Sequence, residues 1–315
     1  MKSYRGMSMN LLHLKYAVEI ANTKSISRAA ENLYMGQPNL SRAIKELEEN
    51  LHVTIFNRTS KGITVTPEGE EFLQYARRII NQVDEVEAIY QKKMSPKQHF
   101  SVCVPRASYI SYAFAEFAKG IKTDMAADIF YKETNSWRTI NNITNGECDL
   151  GIVRFKETYL KYFKSLFEEK HLIAELITDF KYKLLISENH PLAKKETISC
   201  KDLEPYIEIT HADPYVPSLP LPDVKKEELS KHVDKHIYIF ERGSQFRLLE
   251  TVPSTFMWVS PVPEDLYKRY NLIQRDCVDN SRVYKDVLIY RNGYKLSSLD
   301  NRFITCVCDS RRKYL

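Results

Sequence analysis

The chain has 315 residues, 43% of them apolar, which is ample for two or three folded domains and leaves no segment that reads as disordered. Its net charge of +5 is modest, so any reading as a nucleic-acid binder must rest on where Lys and Arg are placed. No apolar run is long enough to span a membrane, and the opening MKSYRGMSMN lacks the apolar core of a signal peptide, so a cytoplasmic protein without a membrane partner is expected.

The first legible elements lie between Ser25 and Thr66. Ser25 or Ser27 can cap a short helix through Ile26, Ala29, Ala30 and Leu33, and Gly36 falls where that helix must end and turn. A second helix follows, with Pro38 in its first turn and Leu40, Ile44, Leu47 and Leu51 at helical spacing. Its other face carries Gln37, Asn39, Ser41, Arg42 and Lys45, side chains able to bond base edges and phosphates. Ile55–Phe56 and Ile63–Val65 alternate like strands around a polar, basic connection, Asn57-Arg58-Thr59-Ser60-Lys61-Gly62, which predicts a phosphate-gripping wing. A solvated surface explains any one of these charges. It does not explain why turn, polar first turn and basic hairpin occur in the order that a winged helix-turn-helix requires.

The run SRAAENLYMGQPNLSRAIKELEENLHVTIFNRTSKGITVTPEGEEFL resembles the amino-terminal domain of LysR-type transcriptional regulators, with their ser-arg-ala-ala, gln-pro-x-leu-ser and leu-phe-x-arg signatures nearly intact. The resemblance implies that Ser27 and Arg28 start the first helix of the pair. It places Gln37, Pro38, Ser41 and Arg42 on the recognition helix and Arg58 in the wing. Ile55 stands where the family often has Leu, and His52 where it often has Gly, a change expected at the helix exit. The family usually begins near Met9-Asn10-Leu11, so residues 1–8 read as a flexible extension or an upstream start.

From Pro67 to about Lys93, Phe72, Ala76, Ile79, Val83, Val86 and Tyr90 recur at alternating spacings of four and three, the seam of a coiled coil, with Thr66 as its cap. A helix packed on its own domain would show the same stripe, but about 25 residues is long for that role, and a dimerisation helix is expected. Residues 94–98 read as a linker.

Beyond it, Phe100–Val104, Ile129–Glu133, Leu150–Arg154, Tyr182–Ser187, Tyr206–Thr210, His236–Glu241 and Val287–Arg291 read as strands interleaved with helices. That order predicts parallel sheets in two lobes. Gly146-Glu147-Cys148-Asp149-Leu150-Gly151-Ile152 and His190-Pro191-Leu192-Ala193 are similar to runs of the LysR-type effector domain, a two-lobed α/β fold like periplasmic solute-binding proteins. The expected layout is therefore a winged helix-turn-helix over 1–66, a dimerisation helix over 67–93, a linker over 94–98 and an effector domain over 99–315. Lobe I would take about 99–165 and 272–315, and lobe II about 166–271. The likeness frays from Asp213 to Lys235 and around Pro253-Ser254-Thr255.

In such lobes ligands sit at the carboxyl ends of strands, which selects Ser108, Thr134 and Thr210 for their hydroxyls, with Ser136 beside them. Ser108 and Ser136 are also good helix caps, and capping explains either one. Arg106, Arg154 and His211 at the same ends point to an anionic ligand, although each could equally be a salt-bridge or surface group.

Catalytic signatures are absent: there is no glycine-rich phosphate loop, paired-His metal motif or Gly-x-Ser-x-Gly elbow, and His171, His190 and His211 are isolated. The six cysteines are scattered, and Cys306-Val307-Cys308 has neither a second pair nor a flanking His, so neither a metal site nor a cofactor is expected. Some family members sense oxidants through a cysteine pair. Cys200, in TISCKDLE, is the residue to which such a role would fall here, although that stretch is similar to an ordinary structural segment of the family.

The resemblance implies a small-molecule-controlled transcriptional regulator that binds double-stranded promoter DNA, pairs with itself as a dimer and a dimer of dimers, and has RNA polymerase as a further partner. The alternative is a cytosolic small-molecule-binding protein whose helical front end only dimerises. A third reading is an architectural protein that binds DNA without sequence choice.

Overall fold

The computed structural model describes residues 10–59, 62–90, 97–215 and 233–315. The chain forms two compact units, divided between Pro96 and Lys97.

In the first unit, α1 (Leu11–Thr23), α2 (Ile26–Asn32) and α3 (Gln37–Leu51) precede a hairpin, β1 (Phe56–Thr59) and β2 (Gly62–Val65), and the long α4 (Pro67–Tyr90). Ser25, rather than Ser27, caps α2 by accepting the Arg28 N–H at 3.3 Å. Gly36 does not make the turn after α2. Tyr34 does, at φ 53°, with its N–H on the Glu31 carbonyl and the Met35 N–H on the Ala30 carbonyl, so the helix closes in a Schellman turn on a non-glycine residue. Gly36 instead occupies the extended N-cap position of α3. His52 closes α3 in the same left-handed conformation, φ 54°, so the helix exit usual for Gly is kept at some backbone cost. The Glu48 carboxylate then accepts the N–H groups of Ile55 and Phe56 at 2.7 and 3.0 Å, which ties the start of the hairpin to the helix. Ile55, expected in the strand, lies just before it and is fully buried.

Thr66 caps α4 through the Gly69 N–H at 2.9 Å, as expected. The expected seam divides. Ala76 is buried and Phe72 packs half-buried on the unit's own core, where Leu73, one residue off the expected seam, joins Ala17, Ile20, Leu40 and Ile44, and Lys15 of α1 reaches Asp84 at 3.6 Å. Farther along, Ile79 and Val86 are 37% and 53% exposed. Residues 91–93 lie outside the described residues, as do 94–96 of the expected linker, and Gln98 is already in a strand.

Among the described residues the second unit holds two five-stranded sheets. Sheet I is ordered β4 (Ala127–Glu133), β3 (Gln98–Val104), β5 (Leu150–Lys156), β12 (Val283–Arg291) and β6 (Leu172–Lys181). Alternate side chains serve two cores. Phe100, Val102, Ile152 and Leu288 pack on α5 (Ser108–Lys119) and α10 (Ser298–Tyr314), while Cys103, Val153, Phe155 and Ile289 pack on α6 (Ser136–Thr144) and α7 (Leu160–Glu169). Sheet II is ordered β11 (Leu272–Arg275), β7 (Lys183–Ser187), β10 (Thr255–Val259), β8 (Ile207–His211) and β9 (His236–Ile239), with α8 (Gly243–Thr251) and α9 (Glu264–Lys268) alongside.

The sheets are mixed. β3 pairs in parallel with β4 and β5, but β12 runs antiparallel to both β5 and β6, and β7 antiparallel to β10 and β11. The expectation of purely parallel sheets fails because each sheet also takes strands from the segments that cross between the lobes. For the same reason the expected lobe limits shift. Leu172–Lys181 belongs to sheet I and Leu272–Arg275 to sheet II, so the chain crosses between lobes at Tyr182 and again over 276–282. The crossings are joined: Asn280 Nδ2 donates to the Tyr182 carbonyl at 2.8 Å, and the Tyr182 and Tyr284 rings stack at 4.0 Å.

Candidate functional site

Two places carry the residues singled out in the sequence. On α3, Leu40, Ile44 and Leu47 are buried, which turns Gln37, Pro38, Asn39, Arg42 and Lys45 outward. Ser41 is half-buried between them; on α2, Ser27 and Arg28 are both exposed. Lys45 pairs with the exposed Glu49 at 3.5 Å, a contact too weak to hold it from a phosphate. The hairpin register, Phe56 opposite Val65 and Thr59 opposite Gly62, puts the backbone of Arg58 and Thr59 in β1, while Lys61 lies outside the described residues. The polar loop is thus shorter than expected, because most of it is strand.

The second place is a cavity of about 170 Å³ in the cleft between the sheets of the second unit, below the roughly 300–1,000 Å³ of a drug-sized pocket. Arg106, Thr134, Ser136, Arg154, Thr210 and His211 all line it, and Tyr159, Phe163, Tyr182, Trp258 and Tyr284 give it aromatic walls. Ser108 is not among its lining residues; it is buried and accepts a bond from Arg242 Nη2 at 2.8 Å. Neither Ser108 nor Ser136 is a cap. Ala107 precedes α5 with no side-chain bond, and Asn135 caps α6 by accepting the Arg138 N–H at 2.9 Å. Ser136 Oγ instead donates to the Arg154 carbonyl, bracing the end of β5, a strand that runs on to Lys156.

Both arginines that pointed to an anionic ligand are already matched. Arg154 is 8% exposed and grips the fully buried Asp286 with two bonds of 2.7 and 2.6 Å, while Tyr109 Oη donates to the same carboxylate at 2.6 Å. Arg106 pairs with Asp213 at 2.9 Å, and Arg138 reaches the same carboxylate at 3.4 Å. Burial, and then the neighbouring Arg106, depress His211 to about 4, so it is neutral near pH 7. Its Nδ1 is buried and has no hydrogen-bond partner among the described residues. Asp213, which sequence reasoning misses because the family likeness frays there, joins the lobes: it belongs to the segment after β8 yet holds Arg106, Arg138 and, through its carbonyl, Asn135 Nδ2. Arg242 makes a second bridge, to Glu133 at 2.9 Å, and Tyr112 a third, to Asp265 at 2.7 Å. Alternation of residue types cannot reveal these partners, which lie on different strands and lobes.

A family model described as the bacterial regulatory helix-turn-helix protein, lysR family, matches residues 11–70, the segment that holds α1 to α3 and the hairpin. Residues 11–70 thus carry a helix-turn-helix domain of the lysR family. It is 30% identical over 203 residues to a probable RuBisCO transcriptional regulator of Phaeodactylum tricornutum, an alignment that covers 62% of each chain and so less than two thirds of that relative. It is 26% identical over 269 residues to the HTH-type transcriptional regulator AlsR of Bacillus subtilis, covering 84% of this chain and 83% of AlsR. In fold, the chain is similar to full-length LysG of Corynebacterium glutamicum with the effector Arg bound, at a TM-score of 0.58 and 14% identity over 98% and 99% of the two chains. It is likewise similar to full-length CbnR complexed with its target DNA, at a TM-score of 0.55 and 16% identity over 96% and 100%.

His211 and a second histidine, His190, imply an acid-sensitive second unit. Burial also depresses His190 to about 4, and its Nδ1 accepts the Leu192 N–H at 3.0 Å. The unfolded chain protonates both rings near pH 6.5, so the stability they give is complete above that pH and is lost as pH falls toward 4. Urea unfolding at pH 7.5 and pH 5 should differ by roughly 2 kcal/mol for each ring in favour of the higher pH. An unchanged midpoint would show that neither ring is held neutral.

Proposed function

We propose that the chain is a sequence-specific DNA-binding transcriptional regulator controlled by a small molecule held between the two lobes of its second unit. The observation that carries this reading is the outward polar face of α3, with Gln37, Asn39, Arg42 and Lys45 free of the core that Leu40, Ile44 and Leu47 build beneath it. Side chains on the first turns of a recognition helix reach base edges in the major groove, and the wing, with Arg58, grips the adjoining backbone. The exposed Ile79 and Val86 on α4 are the surface that a second copy covers, which sets two readers on half-sites about 34 Å, or a multiple, apart. A dimer of such dimers and contact with RNA polymerase extend the same scheme. A compound that closes the cleft does so by favouring one lobe geometry, and its leverage equals its difference in affinity for the two states.

The test is a promoter titration with the Arg42→Ala/Arg58→Ala variant beside the unaltered chain at matched salt. Affinity should fall at least tenfold and the salt slope by about one for each phosphate that the variant leaves unneutralised, while thermal stabilisation by cleft ligands is kept. Full promoter affinity in the variant would favour the small-molecule-binding alternative. Equal affinity of the unaltered chain for promoter and competitor DNA would favour the architectural one.

A further inference from the structure

Two cysteines that are 77 positions apart in sequence meet at the second lobe crossing, with Sγ atoms 3.7 Å from each other. The backbone fixes the encounter. Ile198 and Cys277 form an isolated parallel bridge, and the Val278 N–H donates to the Ile198 carbonyl at 2.9 Å, so the start of the 3-10 turn Cys200–Leu203 is held beside Cys277 to Asp279. Asp279 Oδ1 accepts the Cys200 N–H at 2.9 Å and the Cys277 thiol at 3.1 Å. The three ligand atoms all lie within 4.8 Å of one another, an arrangement found nowhere else among the described residues. Cys277 is buried, Cys200 half-buried and Asp279 exposed, which opens one side of the trio to solvent.

Two thiolates bound at 2.3 Å in a tetrahedral site stand about 3.8 Å apart, so the pair already has the separation that a zinc-type ion imposes. We propose that Cys200, Cys277 and Asp279 bind a thiophilic divalent cation of the zinc type, with solvent completing the tetrahedron. Binding replaces the thiol-to-carboxylate bond by metal bonds to all three side chains, and the two thiol protons leave to solvent. The Cys200 N–H keeps the carboxylate oriented toward the ion. Burial pushes both thiols up from their ordinary range, so without metal they are protonated and poor nucleophiles, which sets the pair apart from a peroxide-reactive one. The ion would brace the segment that carries Asn280, bonded to the other crossing, and Arg282, a lining residue of the cleft. Metal occupancy thereby becomes a second input to lobe geometry.

The experiment is a cobalt(II) titration of the reduced, metal-stripped, full-length chain. Thiolate-to-cobalt absorption should saturate at one equivalent, release about two protons per ion and vanish on adding zinc(II). Cys200→Ser and Cys277→Ser should each weaken binding at least tenfold. Asp279→Asn, which keeps an oxygen for the Cys200 N–H, should weaken it about tenfold. Cys306→Ser/Cys308→Ser should bind as the unaltered chain does, and metal-free melting curves establish that each variant is folded. The proposal is overturned if the unaltered chain gives no thiolate absorption, if folded Cys200→Ser gives the same absorption, or if only the Cys306/Cys308 variant loses it.

Discussion

Asp286→Ala is expected to destabilise the second unit by roughly 3–5 kcal/mol, the range for removing one partner of a buried ion pair. The fully buried carboxylate takes two bonds from Arg154 and one from Tyr109, and the Arg154 guanidinium also lies over the Phe180 ring at 4.7 Å. Without Asp286 that charge and the phenol hydroxyl stay buried with no carboxylate to accept their protons. Tyr109→Phe should cost only about 1 kcal/mol, since the ion pair survives. Urea unfolding of the two variants decides the matter, and equal midpoints would mean that the pair contributes no more than a surface salt bridge.

Gly69→Ala is expected to cost about 3 kcal/mol in the first unit and lower its melting temperature by about 10 °C or more. A Cβ at position 69 would stand 2.2 Å from the Ile55 carbonyl oxygen and 2.9 Å from Val65 Cγ1, and the first of these neighbours is backbone that cannot swing aside. The damage would spread, because the Gly69 N–H holds Thr66 Oγ1, and the Thr66 N–H holds the Ile55 carbonyl at 3.0 Å. Displacement of α4 would then uncouple the hairpin from α1. Calorimetry of the full chain would show the first unit melting early; an unshifted transition would mean that the helix start slides away from β2 at no cost.

The recognition helix is legible in the sequence because its information is local. Leu40, Ile44 and Leu47 fall on one side of a 3.6-residue period, so the direction of Arg42 and Lys45 follows from spacing alone. The strands of apolar runs such as Phe100–Val104 are legible for the same reason, whereas β6, β10 and β11 are not. In β6 exposed and buried positions mix, with Leu176 59% exposed, because the strand lies at the edge of its sheet. β10 is a short apolar run after Pro253-Ser254, equally readable as a helix fragment until its pairing with β7 and β8 is known. The turn residues mislead in a different way. Tyr34 and His52 adopt a conformation that propensity assigns to glycine, held by carbonyls already placed by α2 and α3.

The sequence by itself determined the order of elements from α2 to α4, the buried and free faces of α3, the cap on α4 and most of the strand ends that meet in the cleft, since each depends on residues within a turn or two of one another. Only the tertiary structure decided which charges are spent. Arg154 and Asp286 are 132 positions apart, and Arg106 and Asp213 are 107, so whether a guanidinium is a receptor or a strut depends on which strand comes to lie beside it. Cys200 and Cys277 owe their meeting to the same cause: backbone pairing between distant segments, which no periodicity along the chain records.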